Sequence, residues 1–281
     1  MSITILKRVT LTIAFVLLCT NLKGQVTIAP TNMFLSDSNP FGTYMVINGS
    51  SEAQEISVDF LFAYSATDEN GNRRIIQDDS TFAENHSIAN KVRAFPRNFT
   101  LAPDQRQIVR LRLSDTNSLE DGTYWARIRT KSVPETPPIE VQNTTTVSAR
   151  VGITFEQVTG LFFKKGNVTT GIDIKDIKTE INAENQNELI VLADFDRTGN
   201  SPFLGTITMS IRDSNNRELV SDFVSTSHYF GGTHRQTLDI SSLTNGNYQL
   251  TVEFATKRTD VSEADLVRMQ PVRKSISFTK N

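Results

Sequence analysis

Cysteine is nearly missing from this chain. Cys19 is the only one among 281 residues, so no disulfide can close within the chain and its stability rests on packed cores. Histidine is scarce too. His86, His228 and His234 are the only three, and a catalytic zinc site needs three protein ligands converging on one point. Cationic excess is absent: 29 Lys and Arg stand against 31 Asp and Glu. Nucleic-acid binding, which wants a basic footprint, is therefore disfavoured. No apolar run approaches the roughly 20 residues that a membrane-spanning helix needs, so no membrane span is expected. Phosphate-cradling glycine loops and nucleophile elbows are also missing, which removes the common nucleotide and hydrolase chemistries.

The amino-terminal end has a pattern of its own. Lys7 and Arg8 precede a short apolar stretch from Leu11 to Cys19, followed by the polar Asn21-Leu22-Lys23-Gly24. A basic start and a short apolar core read as a secretory signal peptide over residues 1–24, cleaved before Gln25. The competing reading makes Cys19 a lipid anchor, but Leu18 stands where such sites want a small residue. Cleavage leaves 257 residues, removes the only thiol and three cations, and gives the mature chain a net charge of −5.

Alternation dominates what remains. Ile56 to Tyr64 places large apolar residues at even positions, and Val109–Leu113, Tyr124–Ile128, Val147–Ile153, Leu189–Phe195, Ile207–Ile211 and Tyr248–Phe254 alternate likewise. Period two buries one face of a strand and exposes the other. Asn- and Gly-rich turns separate the runs, as at Glu69-Asn70-Gly71-Asn72, Asp121-Gly122 and Asn245-Gly246-Asn247. Helical spacing is rare; Val261 to Met269 predicts about two turns. Many short strands at even spacing predict an all-β chain of two immunoglobulin-like β-sandwich domains in tandem. The boundary is placed near residue 156, ahead of the new apolar start Leu161-Phe162-Phe163, giving domains 25–156 and 157–281.

A repeated phrase supports that division. Ser118-Leu119-Glu120-Asp121-Gly122-Thr123-Tyr124 and Ser242-Leu243-Thr244-Asn245-Gly246-Asn247-Tyr248 share Ser-Leu-x-x-Gly-x-Tyr, and an alternating run follows each. The pattern fits a tyrosine corner, in which the phenol returns its hydroxyl to the backbone of the preceding turn. Leu119 and Leu243 would plug the core beneath. Gly122 and Gly246 would supply a turn that a Cβ would obstruct.

One stretch carries a more specific likeness. Phe95-Pro96-Arg97-Asn98-Phe99-Thr100-Leu101-Ala102-Pro103, continuing through Gln107 and Val109-Arg110-Leu111, reads as a strand, a proline-pinned turn and a second strand. With Asp121-Gly122-Thr123-Tyr124-Trp125-Ala126-Arg127-Ile128 and Ser132-Val133-Pro134 after it, the segment resembles the amino-terminal domain of the PapD-like periplasmic pilus and fimbrial assembly chaperones, over about residues 26–155. The resemblance implies a periplasmic chaperone without catalytic activity. Such a protein binds secreted or fimbrial subunits by lending them an edge β-strand, a form of strand addition. An outer-membrane usher is a further implied partner, and self-association through the same edge is another. The lent strand would be 144–155, with Val147, Ala149, Val151 and Ile153 as its apolar row and Arg150 as its basic residue. The family's second basic anchor belongs on the first strand, yet Val26 to Phe34 holds no Lys or Arg.

Other readings compete. A structural or adhesive cell-envelope protein could keep this fold without chaperoning. A sugar-binding sandwich could use Tyr229 and Phe230. Trp125, out of phase with Tyr124 and Ala126, is a surface or interface aromatic. His228 and His234 read as a loop or strand-end pair, because no third ligand stands at a metal spacing. Asp173, Asp176, Asp194 and Asp196 form no calcium-loop pattern. No cofactor or metal is called for.

Overall fold

A computed structural model describes residues 26–135 and 153–280. The signal segment, and with it the cleavage site, lies outside those residues. The first half contains β1 (Val26–Ala29), β2 (Asn32–Ser36), β3 (Phe41–Asn48), β4 (Gln54–Leu61), β5 (Ala63–Thr67), β6 (Arg73–Gln77), α1 (Ser80–His86), β7 (Val92–Phe95), β8 (Asn98–Leu101), β9 (Arg106–Leu113), β10 (Gly122–Pro134) and β11 (Phe155–Lys165). The second half contains β12 (Thr170–Ile181), β13 (Glu188–Gly199), β14 (Phe203–Arg212), β15 (Glu218–His228), β16 (Gly232–Asp239), β17 (Gly246–Ala255) and β18 (Val272–Lys280).

These strands make two sandwiches. In the first, a sheet ordered β1-β3-β9-β7 faces one ordered β2-β11-β10-β4-β8. In the second, β12-β13-β16 faces β15-β14-β17-β18. Neighbours are antiparallel except β2 and β11, which run parallel. The expected first strand is in fact two. Pro30 has no N–H to continue a ladder, and there the chain leaves β3 and crosses to β11 in the opposite sheet.

Alternation does what period two requires. Val109, Leu111 and Leu113 of β9 point inward and are nearly inaccessible, as are Val46, Val58, Ile128 and Leu161 around them. The second core gathers Val191, Phe195, Ile207, Met209, Leu250, Val252 and Phe254. Both tyrosine corners close as their sequences imply. Tyr124 donates its hydroxyl hydrogen bond to the Glu120 carbonyl at 3.1 Å, and Tyr248 donates to the Thr244 carbonyl at 2.7 Å. The glycines matter less than expected. A Cβ on Gly122 would stand 3.3 Å from the Asn200 carbonyl oxygen, but at Gly246 the nearest atom is 3.9 Å away. Space forces a glycine at neither.

Two expectations change. Val261 to Met269 is not helical; it is a turn-rich connection closed by Asp265 N–H to Ser262 O. Its two buried apolar residues, Val261 and Leu266, are five apart and plug the groove between the sandwiches. The helix that does form, α1, buries no residue, so it left no apolar period to read; Asp79 caps it by accepting from Phe82 N–H. The boundary placed at residue 156 falls inside β11. That strand pairs with β10 from Phe155 to Lys165 and sends Leu161 and Phe163 into the first core. The first sandwich therefore runs on to Lys165, because the Leu161-Phe162-Phe163 run is its last strand.

Candidate functional site

β11 has two halves. From Gly160 to Lys164 it lies between β10 and β2. From Phe155 to Thr159 it pairs with β10 only, and among the described residues no strand covers its other edge. Backbone N–H and C=O groups along that edge are a ready template for another strand. One side chain reaches across, with Gln157 Nε2 donating to the Val26 carbonyl at 2.9 Å.

The pairing with β10 has no register shift from Phe155 to Lys165. Parity is therefore fixed along the strand: odd residues form the row that becomes core at Leu161 and Phe163. The same row includes Phe155 at its open end, and Ile153 continues it just ahead of the strand. Ile153 is 56% exposed and Phe155 37%. The core-facing row thus runs past the end of its own core, apolar at Ile153 and Phe155 and polar between, at Gln157 and Thr159. Among the residues expected to bind a partner, Ile153 alone is described; Val147, Ala149, Arg150 and Val151 lie outside the described residues.

The even face of the same sheet is partly covered. Phe162 sits beside Trp125 on β10 and stacks on Phe34 of β2 at 5.2 Å. Trp125 is an interface aromatic, buried between Phe62 at 5.5 Å and His86 at 5.0 Å, with Tyr229 of the second sandwich 4.8 Å away. Leu204, Val261 and Leu266 complete the cluster. Arg127 donates to the Tyr229 hydroxyl at 2.8 Å and lies over its ring at 5.4 Å. Tyr229 is 1% exposed. A sugar therefore has no access to its ring face, which removes the support for a stacking platform there. Sequence reasoning missed the extent of this interface. Its signal was the unbroken Leu161-Phe162-Phe163 run, since a strand buried on both faces loses its alternation.

Cations near this junction are held locally. Lys164 donates to the carbonyls of Ala264 and Asp265, and Lys165 pairs with Asp37 at 3.1 Å. A cavity of about 520 Å³ opens beside Trp125, lined by His86, Arg197, Asn200 and Tyr229 among others. Within it, Trp125 Nε1 and Arg197 Nε have no hydrogen-bond partner among the described residues. Burial, and secondarily the charge of Arg197, lowers the pKa of His86.

The remaining candidates separate. His228, the last residue of β15, and His234, near the start of β16, are a strand-end pair, both buried with ring centroids 6.0 Å apart. His234 Nε2 bonds Gln236 at 3.2 Å, and His228 Nε2 has no hydrogen-bond partner among the described residues. Burial first, then His234 and Arg73, pushes the His228 pKa down to about 3. Among the described residues no three ligating side chains converge on a metal position. The four aspartates lie across β12 and β13, interleaved with lysines. Lys175 bridges Asp173 and Asp196 at 2.6 and 3.1 Å, and Lys178 approaches Asp194 at 3.4 Å. That is a charge ladder between strands.

The order of the sheets defines an immunoglobulin-like tandem in which, among the described residues, no strand pairs with the edge of β11 from Phe155 to Thr159. No family model matches the chain, and no curated protein matches it. Solved structures do. One is a chaperone–tip adhesin complex of CFA/I fimbriae, at 11% identity and TM-score 0.42, covering 90% of this chain and 98% of that one. Another is the CupB2 chaperone of Pseudomonas aeruginosa, at 10% identity and TM-score 0.40, covering 91% and 100%. A third is the Salmonella enterica SafA pilin in complex with the SafB chaperone, at 11% and 0.40, covering 92% and 98%. At such scores the two-sandwich architecture rests on this chain's own topology.

Proposed function

We infer that the protein is an exported, non-catalytic binding protein of the periplasm. It lends the strand leading into β11 to secreted or fimbrial subunits that lack a strand of their own. The open edge of β11 from Phe155 to Thr159 carries this reading. Its inward row is already in phase with a sandwich core, so Val147, Ala149, Val151 and Ile153 would present alternate apolar side chains to a subunit groove. Main-chain hydrogen bonds would supply affinity and the pockets specificity. Arg150, on the opposite parity, would face away from that groove and meet the partner's rim. The reading divides the chain after Lys165, and an outer-membrane usher would be a second partner.

The test compares tagged mature protein with a Val147→Asp, Val151→Asp double variant in pull-downs from the native periplasm. Small secreted β-proteins should co-purify with the wild type and be lost with the variant. If their recovery does not depend on this strand, the reading fails. A second reading has one observation in its favour: no cation stands on β1 or β2, and Phe34 stacks on Phe162 at the junction. A structural or adhesive envelope protein has no use for a cationic anchor, and the same experiment decides for it if the strand captures nothing.

A further inference from the structure

The outer face of the other sheet, β1-β3-β9-β7, carries charge of one sign only. Arg106, Arg110 and Arg112 point outward from β9, and Arg93 points outward from β7. Arg93 stands directly opposite Arg112 in the register. Like charges facing each other across strands destabilise a sheet. None of the four strands contains an Asp or Glu, and among the described residues none of these arginines joins an ion pair. The chain as a whole is slightly acidic, so the cluster is not a by-product of composition.

Large apolar side chains share this face. Phe95 is 72% exposed, Phe41 55% and Ile108 52%. Phe41 pairs with Arg112 and lies 5.8 Å under its guanidinium, Phe95 pairs with Arg110, and Ile108 pairs with the half-buried Met45. Arginine, aromatic residues and Met are enriched in protein interfaces, while Lys, Asp and Glu are depleted. This face has that composition, and its cations are all planar forks suited to carboxylates. Phe41, Phe95 and Ile108 contribute nothing to the core from outside, and Arg93, opposite Arg112, donates to the Asn90 and Val92 carbonyls at 2.8 and 2.9 Å instead of to a carboxylate.

We propose that the outer face of the β1-β3-β9-β7 sheet is a docking surface for an acidic protein partner. That partner would present carboxylates alternating with apolar side chains. The site is separate from the open edge of β11, which belongs to the opposite sheet.

The test uses the full mature chain and a short peptide alternating Glu and Leu, titrated by calorimetry at low and high salt. Binding should appear at low salt and fade as salt screens it. The double variant Arg110→Glu, Arg112→Glu should bind about tenfold more weakly or worse, while Phe223→Asp, at an exposed position of β15, leaves the affinity unchanged. The double variant should melt within a few degrees of the wild type, because both positions are exposed and neither arginine joins an ion pair among the described residues; this separates lost binding from lost folding. Phosphatidylglycerol vesicles and a short DNA duplex serve as competing probes. The proposal is overturned if the peptide does not bind, if charge reversal leaves its affinity intact, or if vesicles or DNA bind more tightly than the peptide.

Discussion

A single hydroxyl closes each sandwich, and both can be tested at the residue scale. Tyr124→Phe and Tyr248→Phe each remove one hydrogen bond to a turn carbonyl. Each should cost about 1 kcal/mol in urea denaturation, and because the two corners lie in separate cores the costs should add. An excess in the double variant beyond the sum would show that the corners are coupled. The histidines of the second sandwich act through pH. His228 is pushed down to about 3 and His234 is lowered, both chiefly by burial. Unfolding returns each to about 6.5. Below that pH the unfolded chain holds protons that the folded chain refuses, so stability falls as pH falls. For His228 the loss continues down to about 3. The His228 slope is about 1.4 kcal/mol per pH unit. His228→Asn should remove one proton's worth of that slope between about pH 6 and 4; an unchanged slope would mean that His228 is protonated in the folded protein.

At the scale of the element, β11 sets one row of side chains in two environments. Leu161 is fully buried, whereas Ile153 and Phe155, of the same parity, are substantially exposed. Leu161→Ala should destabilise by about 2–5 kcal/mol, while Ile153→Ala and Phe155→Ala should stay within about 0.5 kcal/mol. Equal losses at the two ends would mean that the open end is packed and unavailable to a partner. The sequence was legible here in part. Alternation from Val109 to Leu113 and from Tyr248 to Phe254 named core residues correctly, and the two Ser-Leu-x-x-Gly-x-Tyr phrases located both corners. The crossing at Pro30 and the edge left open by β2 were not legible, because period two says which side chains share a face but not which strand lies alongside. α1 left no trace because it buries nothing. The Leu161-Phe162-Phe163 run looked like a new beginning because a strand covered on both faces no longer alternates.

For the whole molecule, the question is whether two sandwiches behave as one body. Several contacts tie them, among them Thr123 N–H donating to the Asn200 carbonyl at 2.9 Å and Lys164 donating to the Asp265 carbonyl at 3.1 Å. The hairpin of β5 and β6 leans on the second sandwich, with Ser65 Oγ donating to the Ser227 carbonyl at 3.2 Å and Thr233 N–H donating to Thr67 Oγ1 at 3.1 Å. The aromatic cluster around Trp125 and Tyr229 is another. A lent strand works best if the surface behind it is rigid, since affinity is lost to every degree of freedom that binding must freeze. Trp125 is the chain's only tryptophan and is buried at this junction, so its fluorescence reports docking while circular dichroism reports both sandwiches. In the wild type the two unfolding curves should coincide, as one cooperative unit requires. Tyr229→Ala removes the side chain that meets Trp125 and Arg127. It should cost about 3–5 kcal/mol and make the fluorescence curve fall at lower denaturant than the dichroism curve. If the curves stay together in the variant, the sandwiches are held by the remaining contacts, the hairpin and the Thr123 and Lys164 bonds, and not by the aromatic cluster. Adding Ser65→Ala and Thr67→Ala to that variant then tests whether the hairpin bonds are what holds the two together.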